Sequence, residues 1–274
     1  MKYDLIFVVL VYRNTGDLED FFANFRVPNS KVIVVNSFYD DVSEGSFKKI
    51  AEDNEADFIS VPNKGYGAGN NRGVEYVFNN YEFNYLVISN ADIIIEELKL
   101  SNVMKYGEGI IAPDIRNKKG KRQNPSCPFK PSRIKEKVRY ELLKGYHYKL
   151  IWMMFVLSRL SKILYHCIKQ FKKTIFSAHG AFFIMPKGVV EKLIPIYDEN
   201  MFLFNEEEHL GRLAESKGIK TYYAPDIKIF HKEDGSMNIA SVNQMERTRQ
   251  SYMVYYEKWI NYNRAKCKHP KMAY

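Results

Sequence analysis

The sequence has little cysteine and lacks any long apolar run. Its three cysteines, Cys127, Cys167 and Cys267, are far apart and form no CxxC pair, so neither a zinc site nor a disulfide framework is predicted, and a reducing compartment is expected. No stretch reaches the roughly 18 consecutive apolar residues that a membrane-spanning helix needs. The apolar run 5–12 follows Asp4 and has no small-residue cleavage site, so we expect no signal peptide.

Acidic residues are outnumbered in this chain. Its 41 lysines and arginines exceed its 32 aspartates and glutamates, which gives a net charge of +9. That balance favours an anionic partner, which would be a nucleic acid, an acidic membrane surface or a phosphorylated small molecule. Because 46% of the 274 residues are hydrophobic and 15% are aromatic, disorder is not expected. The length favours one α/β domain with additions over two full domains.

Apolar runs alternate with helical patterns through the first hundred residues. Four runs are typical of buried strands, at 5–12, 31–35, 57–61 and 85–89. The segments between them repeat apolar residues at helical spacing or are short and polar. This alternation predicts an α/β fold with a mainly parallel sheet.

The fourth run leads directly into Asn90-Ala91-Asp92. A carboxylate at the end of a buried strand is costly to bury without a partner. Ligands of open α/β sheets bind beyond the carboxyl ends of the strands. We therefore predict that Asp92 holds a divalent cation, which in turn holds a diphosphate. The alternative is a carboxylate that caps the next helix or turn.

A glycine-rich stretch, 63–73, follows the third run. Gly65, Gly67 and Gly69 permit positive φ angles and close approach to the backbone, and apolar residues at helical spacing come next. A helix that starts after such a loop offers its N-terminus as an anion or nucleotide site. The spacing is not that of the dinucleotide fingerprint. The alternative is a plain tight turn.

The middle of the chain is basic. Residues 117–139 carry nine lysines and arginines among prolines, which predicts a mobile basic loop. About 138–173 is predicted to be helical, with one apolar stripe made of Leu150, Met153, Leu157, Leu160 and Leu164. A basic amphipathic helix suggests a membrane surface, and the alternative is a helix packed over the domain.

Three acids begin a later predicted helix. Asn205 is the predicted N-cap, Glu206, Glu207 and Glu208 fill the first turn, and Glu208 is placed to close a capping box with Asn205. Because successive helical residues point about 100° apart, at most one or two of these acids can face one cleft. A terminal helix, 240–262, is rich in tyrosine and suited to pairing in a homodimer.

Seven motifs, in order, resemble those of inverting family 2 glycosyltransferases with the GT-A fold. They are V-Y-R-N (11–14), V-V-N-S (34–37), N-K-G-Y-G-A-G-N-N-R-G (63–73), S-N-A-D (89–92), H-G-A-F (179–182), F-N-E-E (204–207) and A-P-D-I-K-I-F-H (224–231). The resemblance covers about residues 3–236. It is greatest to bacterial rhamnosyl- and galactosyltransferase-like members that build surface polysaccharides.

The resemblance implies a GT-A fold, Rossmann-like, with a mainly parallel sheet flanked by helices. It divides the chain into a catalytic domain, 1–237, and a C-terminal amphipathic helix with a basic tail, 238–274. The nucleotide-binding half is about 1–100 and the acceptor half about 101–237. A basic loop and helical insertion occupy about 117–175 of the acceptor half.

The resemblance also implies roles for individual residues. Glu207 is the favoured general base, with Glu206 next, and Asp92 and His231 are the metal ligands for Mn²⁺ or Mg²⁺. The implied donor-binding residues are Tyr12, Asn36, Asn63, Gly65, Gly69, Asn71, Asn90 and Asp92. The implied acceptor-side residues are His179, Gly180 and Ala181. Asn90 stands where the family often has an acid, so metal binding together with the donor is expected. Asn36 also stands in place of an acid, and this departure concerns the contact with the nucleotide base.

The implied partners are a nucleotide-sugar donor and a saccharide acceptor linked to polyprenyl diphosphate. The expected location is the cytoplasm, peripheral to the inner face of an anionic membrane, with no nucleic acid partner. Two other classes stay open. A sugar-phosphate nucleotidyltransferase would release pyrophosphate, and a non-catalytic nucleic-acid binder would bind oligonucleotides with a steep salt dependence.

Overall fold

A computed structural model describes residues 2–154, 156, 174–233 and 244–261. Its strands are β1 Lys2–Val11, β2 Ser30–Ser37, β3 Asp57–Val61, β4 Glu82–Asn90, β5 Ile93–Glu97, β6 Ile110–Asn117, β7 Thr174–Ile175, β8 Phe182–Pro186 and β9 Thr221–His231. Its main helices are α1 Thr15–Asn24, α2 Asp41–Asp53, α3 Tyr66–Asn80, α4 Leu100–Val103, α5 Arg133–Lys144, α6 Lys187–Leu193, α7 Glu206–Ser216 and α8 Gln244–Tyr256. A 3₁₀ turn, Met104–Tyr106, follows α4, and a π-helical turn, Glu257–Asn261, follows α8.

The described strands form one mixed sheet in the order β3-β2-β1-β4-β8-β6-β9-β5, with β7 also on β9. The strands β1 to β4 are parallel, as the alternating pattern predicts. The strand β8 runs antiparallel to both β4 and β6, and β9 runs parallel to β6. Since β5 and β7 are antiparallel to β9, six of the nine strands point one way. The predicted α/β fold with a mainly parallel sheet is confirmed.

Helices cover both faces of the sheet because β1 is apolar on both. Phe7 joins one core cluster with Phe21 and Phe47 from α1 and α2. Its neighbour Val8 points to the other face, where it joins Val74 from α3. Side chains alternate between the faces of a strand, so an uninterrupted apolar run is what a strand buried on both sides requires.

The glycines of 63–73 serve mostly to bring α3 close to the sheet. The helix already begins at Tyr66, so most of the predicted loop is helical. A Cβ atom at Gly73 would lie 2.4 Å from Val8 Cγ1, and one at Gly69 would lie 2.5 Å from Leu10 Cδ1. Only Gly65 in this stretch has a positive φ, of 103°.

The insertion and the C-terminal helix have a core of their own. Leu143 and Ile151 from the insertion pack with Tyr252 and Tyr255 from α8. Arg212 of α7 donates to buried Glu136 of α5 at 2.6 Å, and this joins the two helices. The segment 117–139, predicted as a loop, is helical from Arg133 onward. Ser132 begins this helix, because its side chain accepts a hydrogen bond from the Lys135 amide.

The structure describes only part of the predicted apolar stripe of the insertion. Residues 148–154 are helical, and Leu150 and Met153 are exposed, while Leu157, Leu160 and Leu164 lie outside the described residues. The described residues of the predicted helix 240–262 form α8 and the π-helical turn after it, and the ends of that prediction also lie outside the described residues. Within the described ranges, no helix combines the length and the hydrophobicity needed to cross a bilayer. The division at residue 237 and the homodimer stay predictions.

Candidate active site

Asp92 and His231 meet where β4 turns into β5. The strand β5 pairs antiparallel with β9, and Ile93 is in register with His231. The Lys232 amide donates to the Asp92 carbonyl at 2.9 Å, which fixes the turn. As a result Asp92 Oδ2 lies 3.1 Å from His231 Nε2, and both side chains are buried. Burial acts to raise the pKa of Asp92, but the hydrogen bond and charge of His231 outweigh it and lower that pKa.

The other nitrogen of His231 is held by Gln123. Gln123 Nε2 donates to Glu233 Oε1 at 2.6 Å, so the amide oxygen must face the imidazole. That oxygen lies 2.7 Å from His231 Nδ1, which therefore donates to it. Nε2 is left facing Asp92, where it donates to the carboxylate when protonated and offers a lone pair to a cation when not.

This pair fits part of the coordination shell of Mn²⁺ or Mg²⁺. Two neighbouring ligands of an octahedral ion with bonds of about 2.1 Å are about 3 Å apart, close to the 3.1 Å between Oδ2 and Nε2. In the described ranges, no group of three or more His, Cys, Asp or Glu side chains is arranged to hold a metal. The metal site therefore stays a prediction and needs further oxygen ligands from a donor diphosphate and water.

The turn His179-Gly180-Ala181 lies beside this pair. The His179 ring centre is 5.9 Å from that of His231. The Asn90 amide donates to the Ala181 carbonyl at 2.8 Å, and the Tyr66 hydroxyl donates to the Gly180 carbonyl at 2.8 Å. Three segments far apart in the sequence are thus joined at one point of the sheet edge.

Glu207 also reaches this turn. Its Oε1 accepts from the Gly180 amide at 3.3 Å, and a Cβ atom at position 180 would lie only 3.5 Å from the same oxygen. Glu207 is partly exposed, as a group that takes a proton from a bound acceptor must be. A chain of contacts therefore runs from Glu207 through the 179–181 turn to His231 and Asp92.

The neighbouring acid, Glu206, points inward. It is buried, and its Oε1 has no hydrogen-bond partner among the described residues. Burial and the negative charge of Glu207 raise the pKa of Glu206 to about 8. Burial also raises the pKa of Tyr66, and the carboxylates of Glu206 and Glu207 raise it further, which places both acids near this ring. Burial and the charge of Glu207 thus both favour the protonated form of Glu206.

The predicted capping box at the start of α7 is wrong. Asn205 precedes the helix, but its side chain makes no cap hydrogen bond. Its Oδ1 accepts from Arg139 Nη2 at 2.9 Å instead, and Glu208 Oε1 accepts from Arg139 Nη1 at 3.0 Å. A charged guanidinium outcompetes backbone amides for both oxygens.

The predicted donor residues follow the carboxyl ends of the first strands. Tyr12 comes directly after β1 and packs edge-on against Tyr39 at 5.6 Å. Asn36 is fully buried in β2, and its Oδ1 has no hydrogen-bond partner among the described residues. Asn63 follows β3 and accepts from the Gly65 amide at 3.2 Å. The structure brings these residues to one edge but assigns them no ligand.

Two other predicted donor residues have structural contacts. Gly69 faces Leu10, and the Asn71 amide group is bonded to the Tyr197 backbone, with Nδ2 donating to the carbonyl at 3.0 Å and Oδ1 accepting from the amide at 3.2 Å. The start of α3 is covered as well, because the Tyr66 amide donates to the Phe202 carbonyl at 2.9 Å. The groups that approach these glycines closely thus belong to the protein itself, namely the Phe202 backbone at Gly65 and the Leu10 side chain at Gly69.

Several residues of the site are absent from the sequence prediction. Gln123 orients His231, Tyr66 and Asn124 hold the 179–181 turn, and Arg139 holds the start of α7. Their partners lie 55 to 114 residues away in the sequence, and Arg139 is 69 residues from Glu208. The polar run 122–124, within the predicted basic loop, is the only sequence feature that points to these residues, and it does not identify the side chains that they contact.

The chain resembles several solved structures. The structure of GalNAc-T7 with UDP, GalNAc and Mn²⁺ matches 95% of this chain and 50% of its own, at 12% identity and a TM-score of 0.60. S. aureus TarS matches 84% of this chain and 36% of its own, at 10% identity and a TM-score of 0.51. TarS 1–349 in complex with UDP-GlcNAc matches 88% of this chain and 61% of its own, at 9% identity and a TM-score of 0.51.

At these identities the likeness establishes the fold, which is the GT-A fold that the resemblance implies. No family model matches the chain. No curated protein sequence matches it either. The chain spans between about a third and about three fifths of the length of these structural neighbours.

Proposed function

We propose that this protein is an inverting glycosyltransferase that moves a sugar from a UDP- or dTDP-sugar to a saccharide acceptor in cell-surface polysaccharide biosynthesis. The observation that carries the proposal is the grouping of Asp92, His231 and Glu207 around the 179–181 turn of a GT-A fold. Two neighbours of this fold were crystallised with UDP or UDP-GlcNAc, and one of them with Mn²⁺.

Each group has a defined task in this reaction. Asp92 and His231 would hold a divalent cation, which when bound neutralises charge on the departing diphosphate. Glu207 takes the proton of the acceptor hydroxyl as it attacks the anomeric carbon from the face opposite the diphosphate. Tyr12, Asn36, Asn63, Gly65 and Asn90 line the nucleoside and ribose side. His179, Gly180 and Ala181 line the acceptor side.

The proposed acceptor is a saccharide on polyprenyl diphosphate at the inner face of the membrane. The insertion supports this because its outer surface is apolar and basic together. Ile134 and Trp152 are 78% and 65% exposed, and Met153 is 54% exposed. Five cations of the same segment are exposed as well, namely Arg133, Lys135, Lys137, Lys144 and Lys149. A segment that exposes both apolar residues and cations suits peripheral contact with an anionic bilayer.

A panel of UDP-, dTDP- and GDP-sugars tests the reaction, scored by donor hydrolysis and by Mn²⁺-dependent thermal shift. We expect release of a nucleoside diphosphate with one of the first two classes, and a thermal shift that needs both cation and nucleotide. Release of pyrophosphate from a nucleoside triphosphate and a sugar phosphate would instead identify a nucleotidyltransferase.

Liposome flotation tests the membrane contact. We expect binding to vesicles that contain anionic lipid, weakened by salt, and loss of most of that binding in Trp152→Ser/Met153→Ser. Met104→Ser is the matched control, because Met104 is 62% exposed but lies outside the insertion. No affinity for anionic vesicles even at low ionic strength would exclude the membrane contact.

A further inference from the structure

Arg139 connects three parts of the molecule at the start of the acid-bearing helix. It lies on α5 of the insertion, and its guanidinium bonds Asn205 and Glu208 at 2.9 and 3.0 Å. The same guanidinium stacks on the Tyr252 ring of α8, 4.1 Å from its centre. The side chain of Arg139 is only 15% exposed, so these bonds are shielded from water.

The backbone that Arg139 holds is in an unfavourable conformation. Phe204 and Asn205 have φ angles of 74° and 66°, two consecutive non-glycine residues in the left-handed region. A bulky residue adopts this region only where surrounding contacts enforce it. Besides Arg139, the described contacts there are Asn205 Nδ2 donating to the Thr248 carbonyl at 3.2 Å and the Ser251 hydroxyl donating to the Leu203 carbonyl at 2.8 Å.

A competing arrangement is available to the same residues. Asn205 and Glu208 have the spacing of a capping box, in which Asn205 would leave the left-handed region and both side chains would bond backbone amides. The guanidinium of Arg139 removes both side chains from that alternative. The first turn of α7 carries Glu206 and Glu207, so its conformation decides where these two acids point.

We propose that Arg139 is a positioning residue for catalysis, which holds the turn 204–208 so that Glu207 faces Gly180. The inference rests on the proposed function, because Glu207 matters only as the base of a transfer reaction. It gives the insertion a second role besides contact with a membrane, which is to hold the start of α7 in the conformation that the active site needs.

Arg139→Met tests the role, since it keeps the length of the side chain and removes both hydrogen bonds. We expect kcat for transfer to fall about 10- to 100-fold with the donor Kd unchanged, because a displaced base slows the chemical step without touching the donor. Arg139→Lys keeps a cation that can make one of the two hydrogen bonds, so it should retain part of the kcat that Arg139→Met loses.

Arg249→Met is the matched control. Arg249 also makes two hydrogen bonds to a glutamate, Glu246, at 2.8 and 2.7 Å and lies 4.9 Å from the centre of a tyrosine ring. These side-chain hydrogen bonds of Arg249 go to Glu246 and not to 204–208, so their loss should leave kcat unchanged. Asn205→Gly in the Arg139→Met background should restore activity at least severalfold, because glycine accepts the left-handed conformation without support.

Hydrogen exchange gives a readout that needs no activity. Amides of 203–210 should exchange at least tenfold faster in Arg139→Met than in the wild type or in Arg249→Met. Unchanged exchange there, or a kcat equal to that of the wild type, would overturn the role of Arg139. A wild type without turnover on any donor, but with the expected exchange difference, would instead overturn the proposed function.

Discussion

The two halves of the candidate site are built in different ways. In the first half, Tyr12, Asn63 and Asp92 come one or two residues after β1, β3 and β4, so the parallel sheet brings them to one edge. In the second half, His231 is oriented by Gln123 across 108 residues, and Glu208 by Arg139 across 69. The comparison teaches that the first half depends on the topology of the sheet and the second half depends on specific side-chain contacts.

The largest effect is expected where the two halves join. Asp92→Asn should reduce transfer about 10³-fold or more and abolish the Mn²⁺-dependent thermal shift, because the amide cannot replace the charge that holds the cation. The control is Asp17→Asn, which removes another buried carboxylate, 2.9 Å from Lys232 Nζ. A thermal shift retained in Asp92→Asn would place the cation elsewhere.

The second prediction isolates the acceptor half. Glu207→Gln should leave donor binding intact and lower kcat about 10²- to 10⁴-fold, since an amide cannot accept the proton. Glu215→Gln, on the same helix and paired with exposed Lys130, should behave as the wild type. Full activity of Glu207→Gln beside an inactive Glu206→Gln would show that the base is Glu206.

A third prediction concerns the backbone contact between the halves. A Cβ atom at Gly65 would lie 2.2 Å from the Phe202 carbonyl oxygen, at a φ of 103°. Gly65→Ala should therefore lower the free energy of unfolding by about 2–4 kcal/mol, as measured by urea denaturation. Gly45→Ala, in an exposed part of α2 where the added atom meets nothing within 4 Å, should instead raise it by about 0.5–1 kcal/mol.

The last prediction is a pH dependence of stability that comes from Glu206. Its pKa of about 8 in the folded protein lies above the ordinary value of 4.5, so the folded state binds the proton more tightly. The resulting stabilisation is complete below about pH 4.5 and is lost as the pH rises through 8. Glu206→Gln should flatten this decline in thermal unfolding temperature. The same decline in wild type and variant would mean that another group causes it.

The sequence predicts the first half well because its signals are local. Each strand is an apolar run, and the residue after it lies at the carboxyl edge whatever the rest of the chain does. The glycine run is the exception. Gly69 looks like part of a ligand loop, but the structure uses it to seat α3 against Leu10, and sequence spacing alone does not distinguish these two uses.

The second half is predicted less completely for a physical reason. Asn205 and Glu208 satisfy the local rule for a capping box, and a guanidinium 66 residues from Asn205 overrides it. The order of the motifs identifies Glu207 and His231, but no local sequence pattern shows that Glu206 faces inward and Glu207 does not. The two acids differ in burial, which depends on their tertiary surroundings near Tyr66 and Tyr197.

The contacts from α8 have a consequence for the order in which the molecule matures. Every described strand of the sheet has been synthesised once residue 231 leaves the ribosome, and Asp92, Glu207 and His231 are then all present. Thr248 and Ser251, which hold the 203–205 backbone, emerge later. A nascent chain therefore completes the described strands before the 203–205 segment is supported, so the proposed site gains this support only after residue 251 has emerged.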